Sequence, residues 1–134
     1  MALKLTLKPS EKFVINGAVI ANGDRRATLV LHNKASILRE RDIMKPDDVD
    51  SPAKRIYFAI MSMYLDEKLR SSFYEEFVHR MSEFMGAVTD SDALATCVNI
   101  SQCVMERQYY KGLTLCRKLL EFEKARLTYE PAGV

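Results

Sequence analysis

The sequence predicts an α+β protein, a small N-terminal antiparallel β unit followed by a four-helix C-terminal unit. Three observations carry this. Apolar residues alternate with polar ones over the first third of the chain, a period of two. Apolar stripes at helical spacing fill the remainder. Between them "KPDDVDSP", residues 45–52, is acidic and bracketed by prolines. The expected units are therefore 1–45, a basic β unit resembling a meander or open barrel, and 46–134, a four-helix unit.

The strands follow in order. Leu3, Leu5 and Leu7 alternate with Lys4, Thr6 and Lys8, and Pro9-Ser10 ends the run. Phe13, Val14 and Ile15 form a second strand before Asn16-Gly17. Val19 and Ile20 precede Asn22-Gly23, a dipeptide favoured in tight hairpins. Arg26 to His32 alternates again, and Ile37-Leu38 makes a short last strand before Arg39. Such a sheet has exposed edges and little core, so it needs a helix layer or a second copy of itself.

The helices follow. Ser51-Pro52 is a helix start, a capping side chain and then proline at the first helical position. Ala53, Ile56, Tyr57, Ile60, Met61 and Tyr64 recur at helical spacing, and Phe58, Ala59, Met63 and Leu65 fill the other side. A helix apolar nearly all round is central or covered by a partner. Ser72 with Glu75 reads as a capping box opening a second helix. A third begins near Thr89 or Asp90. The pattern shifts near Glu106–Gln108, and a fourth carries Tyr109, Leu113, Cys116 and Leu119 to about Leu127. The tail "YEPAGV" is expected to fray.

Charge is unevenly spread. The net charge is +2, yet residues 1–45 hold nine Lys or Arg against four Asp or Glu. The three cysteines sit in helical sequence and are expected to be reduced core residues of a cytoplasmic protein. Lys4 and Lys8 interrupt any apolar signal segment, and no run is long enough to span a membrane. His32 and His79 have no ligand neighbours at metal spacing, and the acids 47, 48 and 50 lack the glycine and distal glutamate of a calcium loop. No phosphate-cradling glycine loop or nucleophile elbow occurs. Neither enzymatic activity nor a cofactor is expected. Binding remains, on two surfaces. Lys4, Thr6 and Lys8 share one strand face, with Arg25, Arg26, Lys34, Arg39 and Arg41 elsewhere in the β unit. On charge alone these fit a solvated sheet as well as an RNA surface. The Met- and aromatic-rich first helix, with Tyr57, Met61, Met63 and Tyr64, fits a core as well as a partner surface.

Taken whole, "MALKLTLKPSEKFVINGAVIANGDRRATLVLHNKASILRERDIM", "PAKRIYFAIMSMYLD" and "YYKGLTLCRKLLEFE" resemble the FlbT family of flagellum-biosynthesis regulators. The resemblance implies a cytoplasmic post-transcriptional repressor of flagellin synthesis. It would associate with the 5′ untranslated leader of flagellin mRNA and promote its degradation. FlaF is implied as a companion in the same pathway. The first 43 residues also resemble the RNA-binding CsrA family, through Leu3, Leu5, Thr6, Lys8, Glu11, Phe13-Val14-Ile15 and Arg39-Glu40. That resemblance implies an intertwined homodimer gripping single-stranded RNA, with Lys4, Thr6, Lys8 and Arg39 as contacts. Leu7 stands where that family has another basic residue, the middle of the sheet is shorter, and the helical half has no counterpart there. A competing reading is an adaptor or chaperone of flagellum assembly. Its helical half would bind FlaF or flagellin, with indirect effects on mRNA.

Overall fold

In the computed structural model, which describes residues 3–128, the chain divides into two compact units. One runs to Ile43 and includes Leu65–Glu67; the other is Met44–Tyr64 with the chain from Lys68 onward. The α+β class and the order of strands before helices are as expected.

The β unit holds β1 (Leu3–Leu7), β2 (Lys12–Ile15), β3 (Ala18–Ala21), β4 (Ala27–Leu31) and β5 (Ile37–Arg39). All pairings are antiparallel, but they form two sheets, β1-β4 and β3-β2-β5, rather than one sequential meander. The cause lies in the turn after β1. Ser10 takes a left-handed φ of 62°, and its N–H donates to the Gly23 carbonyl at 2.8 Å. The chain is thereby carried out of the first sheet, and β4 pairs with β1 instead.

The tight hairpin turn is Asn16-Gly17, not Asn22-Gly23. Asn16 and Gly17 have φ of 49° and 85°, and Ile15 pairs with Ala18 around them. Two successive positive φ values define the primed turn that matches strand twist. Asn22 instead ties loops together. Its amide nitrogen donates to the carbonyls of Lys8 (2.8 Å) and Arg25 (2.9 Å).

Leu3, Leu5 and Leu7 face Leu31, Leu29 and Ala27 across the first sheet, the register their alternation requires. Burial deepens along the strand, from Leu3 at 53% exposed to Leu7 at 2%. The core of this unit is small: Leu7, Phe13, Val14 and Leu38 are its buried apolar residues among those described.

The helical unit holds α1 (Pro52–Leu65), α2 (Arg70–Ala87), α3 (Ser91–Met105) and α4 (Tyr109–Thr128). α1 begins at the Ser51-Pro52 signal, where the Ser51 hydroxyl accepts the Lys54 N–H at 3.4 Å, and a second cap comes from far along the chain. Glu123 on α4 accepts the Ser51 hydroxyl and the Ala53 N–H, the latter at 2.9 Å. The carboxylate thus satisfies an orphan donor and the positive end of the helix dipole. α1 is the central helix, with Ala53, Ile56, Ile60 and Met63 fully enclosed.

α2 starts ahead of Ser72. A 3-10 turn at Glu67–Leu69 leads into it, and Ser72 donates back to the Leu69 carbonyl at 3.1 Å. Ser72 is therefore already helical, and the Ser72/Glu75 capping box does not form. α3 opens as expected, with the Asp90 carboxylate accepting from the Ala93 N–H at 2.9 Å. Arg107, at φ 59°, breaks α3 from α4 while the Gln108 N–H closes on the Cys103 carbonyl. α3 and α4 pack closely: a Cβ on Gly112 would sit 3.7 Å from Cys103 Cβ and 3.7 Å from Ile60 Cγ2.

Cys97, Cys103 and Cys116 are buried and free. Burial pushes the Cys97 thiol up to about 11 and raises that of Cys116 further. Among the described residues no helix is long and apolar enough to cross a membrane. The tail "YEPAGV" lies outside the described residues.

Candidate nucleic-acid interface

The β unit contains an open cleft of about 830 Å³ where the end of β1, the turn after it, Arg26 and the segment after β5 converge. Its walls carry Thr6, Lys8, Arg26, Arg39 and Arg41, with Pro9, Ser10, Glu11 and Glu40 between them. The first five were candidates from the sequence. Lys4 and Arg25 were too, but neither lines the cleft. Lys4 lies opposite Val30 further up β1 and is exposed. Arg25 is exposed in the loop before β4, held there through its carbonyl by Asn22.

The charges in this cleft are not equivalent. Arg39 turns its planar fork inward. Nε donates to Glu11 Oε2 at 3.0 Å, and Nη2 donates to Glu11 Oε1 at 2.9 Å and to the Thr6 carbonyl at 2.6 Å. Glu11 also accepts the Lys8 N–H at 2.9 Å. The Arg39 guanidinium beside Glu11 holds that carboxyl below the usual range, helped by the Lys8 N–H, and Glu11 in turn holds Arg39 charged. Two of the three nitrogens of the fork expected to seize RNA, Nε and Nη2, are thus engaged within the protein, and its side chain stays 29% exposed. It joins β5 of the second sheet to β1 of the first, which side-chain geometry alone could show.

Glu40 is committed as well, accepting the Lys12 N–H at 2.8 Å. Lys8, Arg26 and Arg41 are left to face solvent. All three are exposed, and Arg41 keeps 81% of its side chain accessible despite a loose 3.8 Å approach to Asp42. Three exposed cations around a cleft whose two carboxylates are both engaged attract a polyanion. Phe13 is 2% exposed, so the cleft has no aromatic platform for base stacking.

The partner-surface candidates lie elsewhere. Tyr57, Met61 and Met63 are buried, with Met63 at 0% exposed, and Tyr64 is half-buried against Tyr110 with ring centroids 5.9 Å apart. Met61 sulfur also receives the Met44 N–H at 3.3 Å. This stripe is core.

Fold and site together define a small α+β protein with a basic cleft in its β unit. The match to known proteins is specific. Residues 3–127 match the family model described as "Flagellar protein FlbT". The chain is 59% identical over 134 residues to the "Flagellum biosynthesis repressor protein FlbT" of Caulobacter vibrioides, covering 100% of this chain and 95% of the relative. A "Probable flagellum biosynthesis repressor protein FlbT 1" from Bradyrhizobium diazoefficiens is 33% identical over 132 residues, covering 97% of this chain and 88% of the relative. This chain belongs to the FlbT family. No solved structure matches it.

Proposed function

We propose that this protein is a post-transcriptional repressor of flagellin synthesis. It associates with the 5′ untranslated leader of flagellin mRNA, promotes its degradation, and grips unpaired RNA in the β-unit cleft. The names of the FlbT relatives, flagellum biosynthesis repressors, carry the repressor part of this reading. The geometric support is the cleft itself, where Lys8, Arg26 and Arg41 stand exposed while Glu11 and Glu40 are tied down. Sequence-selective RNA binding favours unpaired segments read by edge contacts. With no aromatic platform, recognition here rests on phosphate contacts and polar groups of the Thr6–Glu11 stretch.

The two-stranded β1-β4 sheet, with Leu3 53% and Val30 44% exposed, supports a homodimer as the binding form. Sedimentation of the free and RNA-bound protein reads this directly, and a monomer in both states removes it.

The principal test is a titration of the full chain against a flagellin leader and a scrambled control at two salt concentrations. Lys8→Ala, Arg26→Ala and Arg41→Ala are each expected to weaken leader binding and to flatten the salt slope by roughly one counterion. Arg25→Ala, outside the cleft, is the control. Equal binding to both RNAs, abolished by salt, would reduce the cleft to a generic basic patch.

A further inference from the structure

Two carboxylates, Glu11 and Glu40, line a cleft that otherwise presents cations. Glu11 is the more deeply set, with 14% of its side chain exposed. A negative charge in that place repels a phosphate backbone, so on charge alone it weakens the site.

Its bonds give it another role. Oε1 accepts the Lys8 N–H at 2.9 Å and Arg39 Nη2 at 2.9 Å, and Oε2 accepts Arg39 Nε at 3.0 Å. The Lys8 carbonyl accepts from the Glu11 N–H at 3.1 Å and from Asn22 Nδ2 at 2.8 Å. The Glu11 carbonyl accepts the Asn22 N–H at 2.8 Å, so the carboxylate projects from an anchored base. Ser10 donates to Gly23, and Pro9 has no N–H. Every backbone N–H from Lys8 to Glu11 is therefore used within the protein. The turn lies beyond the end of β1, and Ser10 holds a left-handed φ that costs a non-glycine residue energy. Hydrogen bonds outside any strand ladder hold this shape, and the Lys8 side chain is left exposed.

We propose that Glu11 is a positioning residue of the RNA cleft. It clamps the Lys8–Glu11 turn to Arg39, and so holds the Lys8 ammonium where a phosphate of an unpaired RNA segment meets it. Positioning presupposes RNA in this cleft and so rests on the function proposed above. Its consequence runs opposite to that of charge. Removing Glu11 takes a negative charge out of the cleft and releases the Arg39 fork, and electrostatics alone then favours a polyanion. Positioning requires binding to fall instead.

The test is a double-mutant cycle on the full chain, read by titration with the flagellin leader over a salt series. Circular dichroism first establishes that each variant is folded at the assay temperature. Glu11→Ala should weaken binding severalfold, about as far as Lys8→Ala, and flatten the salt slope by roughly one counterion. Added to Lys8→Ala, it should cause no further loss. Added to Arg41→Ala, which Glu11 does not bond, it should weaken binding by its full single-variant factor. A general loosening of the β unit would act alike in both backgrounds. Glu11→Gln keeps a neutral acceptor for the Lys8 N–H and should retain more affinity than Glu11→Ala; it carries the same cycle if the alanine variant does not fold. Unchanged or tighter binding by the folded Glu11 variant, or an equal loss in both backgrounds, overturns the positioning role while the cleft stands. Lys8→Ala binding the leader as wild type does would instead remove the cleft reading, and the positioning role with it.

Discussion

The two units are stabilised by different means. Among the described residues, the β unit buries only Leu7, Phe13, Val14 and Leu38, and exposes Leu3, Val19, Ile20 and Val30. The helical unit encloses Ile56, Ile60, Met63, Cys97, Ile100, Leu113 and Leu119, a continuous apolar interior. What the β unit lacks in core it replaces with long-range polar ties. Arg39 reaches Glu11 and Thr6, Asn22 reaches Lys8 and Arg25, and Asn16 accepts from the Ser36 N–H at 2.9 Å. Apolar burial is indifferent to pH and little affected by salt, whereas ionic ties respond to both. The difference teaches that the same β unit which presents charge to a ligand also depends on charge for its own shape.

Breaking the apolar side should have the largest effect. Ile60→Ala removes a fully buried side chain from α1 and should cost about 2–5 kcal/mol in urea unfolding. Val98→Ala, 55% exposed on α3, should stay within about 0.5 kcal/mol. Breaking the polar side comes next. Asn22→Ala removes two exposed hydrogen bonds, to the carbonyls of Lys8 and Arg25, and should cost about 0.5–1.5 kcal/mol. Amide exchange should show that loss in the β unit, with α3 and α4 unchanged.

The Arg39–Glu11 tie sharpens the contrast through pH. The folded Glu11 pKa is depressed, so the tie contributes stability above the ordinary glutamate value near 4.5. That contribution is lost as pH falls through the lower folded value. Glu11→Gln should flatten the acid limb of the stability profile, and a profile identical to wild type would refute the tie. Arg39→Ala should lower the melting temperature by several degrees, so loss of RNA binding in that variant alone would not place Arg39 in the interface.

The smallest effects lie in the helices. Gly112→Ala meets only ordinary contacts, at 3.7 Å and beyond, and should stabilise by about 0.5–1 kcal/mol in thermal melts. Iodoacetamide at neutral pH should leave the buried thiols unmodified, and denaturant should release all three.

Legibility followed the range of the interactions. The alternation of Leu3, Leu5 and Leu7 was enough to place them on one face, because pleat period is local. Helix starts with a cap next to the helix, Ser51-Pro52 and Asp90, were readable for the same reason. The Ser72 capping box failed because the helix had already begun in the turn before it. In the cleft, the basic residue types were visible. Which of them are exposed was not, since Arg39 and Glu11 are 28 residues apart.

By itself, then, the sequence determined the class, the order of strands before helices, the uneven charge and the family. These rest on periodicity, composition and motif order, which adjacent residues carry. Tertiary structure alone decided three things. It split the strands into two sheets. It engaged Arg39 in a tie between those sheets, and it sent Glu123 to cap a helix that begins 71 residues earlier than its own position. Each is a hydrogen bond between groups far apart in the chain, and only the fold brings such groups within reach.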